Sequence, residues 1–269
     1  MVHNDMHYHH LIGKVHSVSD VDELSNILEE LKEYPTNSQL EKLFKSYTND
    51  ESPLIRCIAF EGLAKSEIKD TEIAQKAIEH LNDEDIVVMS CIELLAEYEY
   101  LEAVPYIKNL LRHIDAGVRC TAAEALGDMN CKEQLMDIVQ VNKVEVDDLA
   151  KVGQRYGIYM LSNESDEISA LNQLVELLYS SNVTASYRAM SNLIAVLNER
   201  NRSLIFMAFQ EKLKEKIENG FKTDLEDNLK RILVERFHML KGVMLLNRPD
   251  FNGMRKVFSN DKTILEAGN

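Results

Sequence analysis

Five histidines crowd the first sixteen residues, His3, His7, His9, His10 and His16, and form the densest set of metal-capable side chains in the chain. A zinc site would need neutral imidazoles fixed in a tetrahedral array and oriented by neighbouring groups. No cysteine accompanies these histidines, and Asp5 is the one carboxylate among them, so residues 1–19 read as a flexible polar N-terminus with no metal site. The four cysteines, Cys57, Cys91, Cys120 and Cys131, form no CxxC pair and lie inside apolar helical patterns, as free thiols in a reducing compartment do. A reactive thiol needs an electropositive, exposed setting. Arg56 and Arg119 adjoin Cys57 and Cys120 in sequence, but neighbours on a helix point about 100° apart. These thiols therefore read as small packing groups. No GxSxG, HExxH, GxGxxG or Walker loop occurs, so neither an enzyme nor a bound cofactor is expected.

Acidic residues offer the other chemistry. Asp83-Glu84-Asp85 precede an apolar run, where carboxylates cap a helix and favour its positive end. Glu97-Tyr98-Glu99-Tyr100-Leu101-Glu102 alternates carboxylates, which grip Lys or Arg, with tyrosines, which supply contact area at low entropic cost.

The elements that must position these groups are helices. Apolar residues make up 45% of 269, while Pro (4) and Gly (10) are scarce, which disfavours a turn-rich β fold. Apolar positions Val21, Leu24, Ile27, Leu28 and Leu31 follow helical spacing, Pro35 ends that run, and Leu40, Leu43, Phe44 and Tyr47 mark the next. Later helices are expected over Val146 to Leu161, Ile168 to Tyr179, Ala185 to Leu197 and Leu204 to Ile217. A longer one, Asp224 to Leu246, reads as a C-terminal cap, with a tail at 247–269. No run of about 18 apolar residues occurs, and Met1 to His10 lacks the apolar core of a signal peptide, so a cytoplasmic location is expected.

A repeat runs through the clearest part. Ile55-Arg56, Ala59 and Gly62-Leu63-Ala64 are matched by Val87-Val88, Cys91 and Leu94-Leu95-Ala96, then by Val118-Arg119, Ala122 and Ala125-Leu126-Gly127. The offsets are 32 and 31 residues, an acidic turn precedes each copy, and a second amphipathic helix follows it. Two helices per unit at this period mark a helical solenoid. Small residues at Ala59, Cys91 and Ala122 would let neighbouring helices approach closely.

The stretch Asp115 to Gly127, Asp-x-x-Val-Arg-x-x-Ala-Ala-x-Ala-Leu-Gly, resembles HEAT-like repeats of the phycobilisome-lyase type, as does Glu102 to Leu111 for the second helix. Val88 departs from the pattern where the family carries Arg. The resemblance implies an all-α, right-handed α-α superhelix over residues 20–246, clearest at 50–140, and a binding scaffold whose second helices line the concave face. On that face Glu72 and Glu79 would project.

Charge bears on the partner. Residues 1–150 hold 13 Lys and Arg against 30 Asp and Glu, a balance of −17, while residues 151–269 hold 17 against 15, a balance of +2. The acidic half repels nucleic acid and anionic membranes and attracts basic proteins over a Debye length of about 8 Å. The expected function is non-catalytic capture of a basic protein through Glu72, Glu79, Asp83, Glu84, Glu97, Tyr98, Glu99, Tyr100 and Glu102. An immunity protein or antitoxin neutralising a basic toxin is one specialisation. The alternative that the resemblance implies is a lyase-type or assembly chaperone. A HEAT-like DNA glycosylase would need a basic concave surface with aromatic platforms, which a chain without Trp and with −17 in its clearest repeats does not supply.

Overall fold

A computed structural model of the chain describes residues 2–198 together with Asn201 and Ile205. Among them are twelve α-helices, three short 3-10 turns and no strand, so the described part of the chain is all-α. The helices are α1 (Val2–Val15), α2 (Val21–Leu31), α3 (Ser38–Tyr47), α4 (Pro53–Ala64), α5 (Thr71–Glu79), α6 (Asp85–Glu97), α7 (Val104–Leu110), α8 (Ala116–Asp128), α9 (Leu135–Asn142), α10 (Asp148–Leu161), α11 (Glu164–Glu176) and α12 (Val183–Ala195). The expected helices at 204–217 and 224–246, with the tail beyond, lie outside the described residues. No helix among the described residues is long and apolar enough to cross a membrane.

Helix starts follow from cap chemistry. Asp20, Asn37, Asp70 and Asp115 each accept a backbone N–H of the first turn through the side chain, at 2.9 Å in each case. Pro53 occupies the first turn of α4, where its missing N–H leaves nothing unpaired.

Contacts divide the chain into two compact units, Met1–Val141 and Asn142–Asn269. In the first, α2, α4, α6 and α8 lie side by side in chain order, and α3, α5 and α7 each pack on the helix that follows. The repeat-matched trios Ile55, Val87, Val118; Ala59, Cys91, Ala122; and Leu63, Leu95, Leu126 are all fully buried. At Gly62 a small residue permits close approach. A Cβ on Gly62 would stand 2.6 Å from the Phe44 ring, so α3 crosses α4 where only a glycine fits.

Turns in this unit alternate in length. Those leading into α2, α4, α6 and α8 span five residues (16–20, 48–52, 80–84, 111–115), and those leaving them span six (32–37, 65–70, 98–103, 129–134). Since the chain reverses at each turn, five-residue turns gather at one end of the helices and six-residue turns at the other. Cross-links between successive turns agree with this. At the short-turn end Arg56 reaches Asp83 and Glu84, and His113 approaches Asp85. At the long-turn end Lys65 donates to the Lys32 carbonyl at 3.0 Å and Lys69 pairs with Glu99 at 3.5 Å. The 13 residues of α6 hold the two ends about 20 Å apart.

The segment expected as a flexible end is instead helical. α1 buries Tyr8, Leu11 and Val15, and His7 and Lys14 pair with Glu30 and Glu23 of α2, each at 2.5 Å. Residues at i, i+3 and i+7 form one apolar stripe, which gives this polar segment a face to dock.

In the second unit α10 packs on α11 and α12. Ser180 donates to the Asp148 carboxylate at 2.6 Å, and Asn201 donates to the Tyr159 hydroxyl at 2.8 Å.

Candidate acidic interface

The nine residues singled out from sequence do not form one patch. Glu79, Asp83 and Glu84 belong to the short-turn end, while Glu72, Glu97, Tyr98, Glu99, Tyr100 and Glu102 belong to the long-turn end.

At the short-turn end Asp83 and Glu84 are already used, while Glu51 and Glu79 are exposed with no described cation paired to them. The Arg56 guanidinium donates to Asp83 at 2.5 and 2.9 Å, to Glu84 at 2.7 Å, and to the carbonyls of Asp50 and Glu51 at 2.7 and 3.0 Å. The His80 ring nitrogen Nδ1 adds a 2.7 Å bond to Asp83. Burial alone would push the Asp83 carboxyl up, but its bonds to Arg56, Glu84 and His80 hold it well below the usual carboxylate range. Asp83 thus ties α4 to the start of α6 and is not a free docking group, contrary to the sequence reading. Arg119 repeats the arginine's backbone role, donating to the carbonyls of His113 and Ile114, both at 2.9 Å. At the intervening position Val88 is fully buried.

The long-turn end is different. Tyr98 is a correction: only 6% exposed, it closes α6 with its hydroxyl donating to the Leu63 carbonyl at 3.2 Å. Burial, then the nearby charges of Glu41 and Asp70, push its phenol up to about 12. It offers a partner no surface. Tyr100 is half-buried, and its hydroxyl is hydrogen-bonded with Glu102 and Gln75.

The carboxylates here do face solvent. Glu72, Glu97, Glu99 and Glu102 are exposed, and Lys69 is the one described cation that pairs with any of them. Glu133, not anticipated from the sequence, extends the row. Glu72, Glu102 and Glu133 each stand at the start of the second helical segment of a unit, at offsets of 30 and 31 residues. That offset, close to the repeat period, is the signal that could have found Glu133.

Glu99 also has unusual backbone. It and Asn130, 31 residues later, are the described non-glycine residues with positive φ, 50° and 53°. Both end a helix in the same way: the next N–H, of Tyr100 or Cys131, bonds back 3.0 Å to the carbonyl of Leu95 or Leu126. Asparagine suits this left-handed position, whereas glutamate is disfavoured there.

The cysteines fit the packing reading. The Cys57 thiol donates to Glu61 at 3.5 Å, the Cys120 thiol does the same to Glu124, and burial pushes Cys57 up to about 12. Among the described residues no group of three His, Cys, Asp or Glu side chains is placed to hold a metal ion. Compared with known proteins, the chain matches no family model and no curated protein.

Proposed function

We propose that the first unit is a short HEAT-like solenoid of right-handed superhelical hand that captures a basic protein at its long-turn end, without catalysis. The observation that carries this reading is the asymmetry between the two ends. The short-turn end spends Asp83 and Glu84 on Arg56 and leaves only Glu51 and Glu79 of its glutamates exposed with no described cation paired to them. The long-turn end leaves Glu72, Glu97, Glu102 and Glu133 so, in a row that follows the repeat. The left-handed backbone at Glu99 supports it: strain retained to present a 75% exposed side chain is better explained by use than by folding. An immunity protein facing a cationic toxin would be one member of this class.

The test is affinity capture from native lysate with the full chain and with a Glu97→Lys, Glu99→Lys, Glu102→Lys variant, each at low and at about 0.5 M salt. A basic protein retained by the natural chain at low salt, and lost with salt or with the variant, supports the proposal. Equal retention by both chains would place binding elsewhere.

A further inference from the structure

We infer that the long-turn end takes a cationic amphipathic helix of its partner, gripping it by aliphatic anchors as well as by charge; this rests on the acidic end being the binding surface. Three large apolar side chains stand in water there: Ile68 in the turn before α5, Leu101 in the next such turn and Met136 at the start of α9, 63%, 64% and 62% exposed. They interleave with the carboxylate row. The Lys69–Glu99 pair joins the turns that carry Ile68 and Leu101, and Lys108–Asp137 at 2.7 Å joins α7 to α9, beside Met136.

Isolated exposed aliphatics are ordinary on any surface. What distinguishes these is their company. Leu54, Ile86 and Ile114 are also exposed, at the short-turn end, but a cationic segment binding there would have to break the Arg56 clamp to reach Asp83 or Glu84. At the long-turn end Glu72, Glu97, Glu102 and Glu133 need no such release, and Glu99 gives up only an exposed pair with Lys69. Spacing also fits. Packed helices lie about 8–10 Å apart, which sets the step between successive turns. Residues i and i+7 of a helix lie about 10.5 Å apart along its axis. A partner helix lying across the turns would therefore set successive apolar residues beside Ile68 and Leu101 while lysines or arginines on its flanks meet Glu97, Glu99 and Glu102.

Two synthetic peptides of identical composition test this, one with Leu and Lys arranged as an amphipathic helix and one scrambled to disperse the leucines. Binding to the full chain is read by fluorescence anisotropy at low and at about 0.5 M salt. The amphipathic peptide should bind about tenfold or more tightly than the scrambled one. A chain with Ile68→Ser and Leu101→Ser should lose that preference with its melting temperature unchanged, and the Glu97, Glu99, Glu102 reversal should weaken both peptides. Equal binding of the two peptides overturns the inference and leaves the acidic surface standing. Binding of neither overturns both. A preference that survives the serine substitutions puts the anchors elsewhere. Dimerisation in sedimentation that Leu101→Ser abolishes would assign this surface to a second copy of the chain.

Discussion

Glu99 and Tyr98 are neighbours with opposite fates, and each yields a measurable expectation. At φ 50° a glutamate is held in a region that asparagine and glycine tolerate better, and Asn130 shows the substitution in place one repeat on. Glu99→Asn should therefore raise stability by about 0.5–1 kcal/mol in urea unfolding, while weakening capture of a basic partner. A variant less stable than the natural chain would show that Glu99 is held for folding. Tyr98→Phe keeps the ring and removes the bond to the Leu63 carbonyl, so it should cost about 1 kcal/mol. The sequence contained the information to place Tyr98 correctly. Cys91, Leu94, Leu95 and Tyr98 continue one helical stripe, whereas the eye-catching Glu-Tyr-Glu-Tyr alternation suggests a surface. Alternation indicates exposure only in an extended segment, and Tyr98 closes a helix. The exposure of Glu97 and Glu102 was legible; the left-handed turn at Glu99 was not, because a glutamate, unlike a glycine or asparagine, gives no sign of one.

At the scale of the helix, repeat and clamp carry the stability. The matched trios at 55, 87 and 118 are buried as the sequence implied, and Leu126, fully enclosed, should cost about 2–5 kcal/mol when changed to Ala. Gly62→Ala tests the crossing of α3 over α4: the new methyl meets the Phe44 ring and should destabilise by about 1–3 kcal/mol. The Arg56 clamp predicts a pH dependence. Because the folded Asp83 carboxyl lies below its unfolded value of about 3.9, its contribution is fully present above that value. It is lost progressively as pH falls below about 4 toward the folded value. Asp83→Asn should remove that component, so its stability relative to the natural chain should converge between pH 7 and pH 3 in chemical unfolding. No convergence would mean the clamp contributes little. The partners of Arg56 were hidden from sequence reading because they lie 27 and 28 residues away across a repeat boundary. α1 was hidden differently: its histidines drew attention away from Tyr8, Leu11 and Val15, whose spacing is a helical stripe.

Across the whole first unit, the decisive quantity is where uncompensated charge sits. The balance of −17 over residues 1–150 was plain from the sequence, but a sum cannot say which carboxylates are free. The fold distributes them to two ends about 20 Å apart, more than twice the Debye length of about 8 Å, so the ends act as electrically separate surfaces near physiological salt. This separation makes location testable. Glu97→Lys, Glu99→Lys and Glu102→Lys together should slow association with a basic partner, and raising salt to about 0.5 M should slow the natural chain in the same way. Dissociation should change less, since steering acts on encounter and the aliphatic contacts hold the complex afterwards. Reversing Glu51 and Glu79 at the short-turn end changes net charge in the same direction by two thirds as much, yet should leave association nearly unchanged. Stopped-flow mixing reads both rates, and equal melting temperatures exclude a folding defect, because exposed charges contribute little to stability. Should both sets of reversals slow association alike, the partner would be responding to total charge; should only the short-turn set do so, the binding end would have to be reassigned to the starts of α4, α6 and α8.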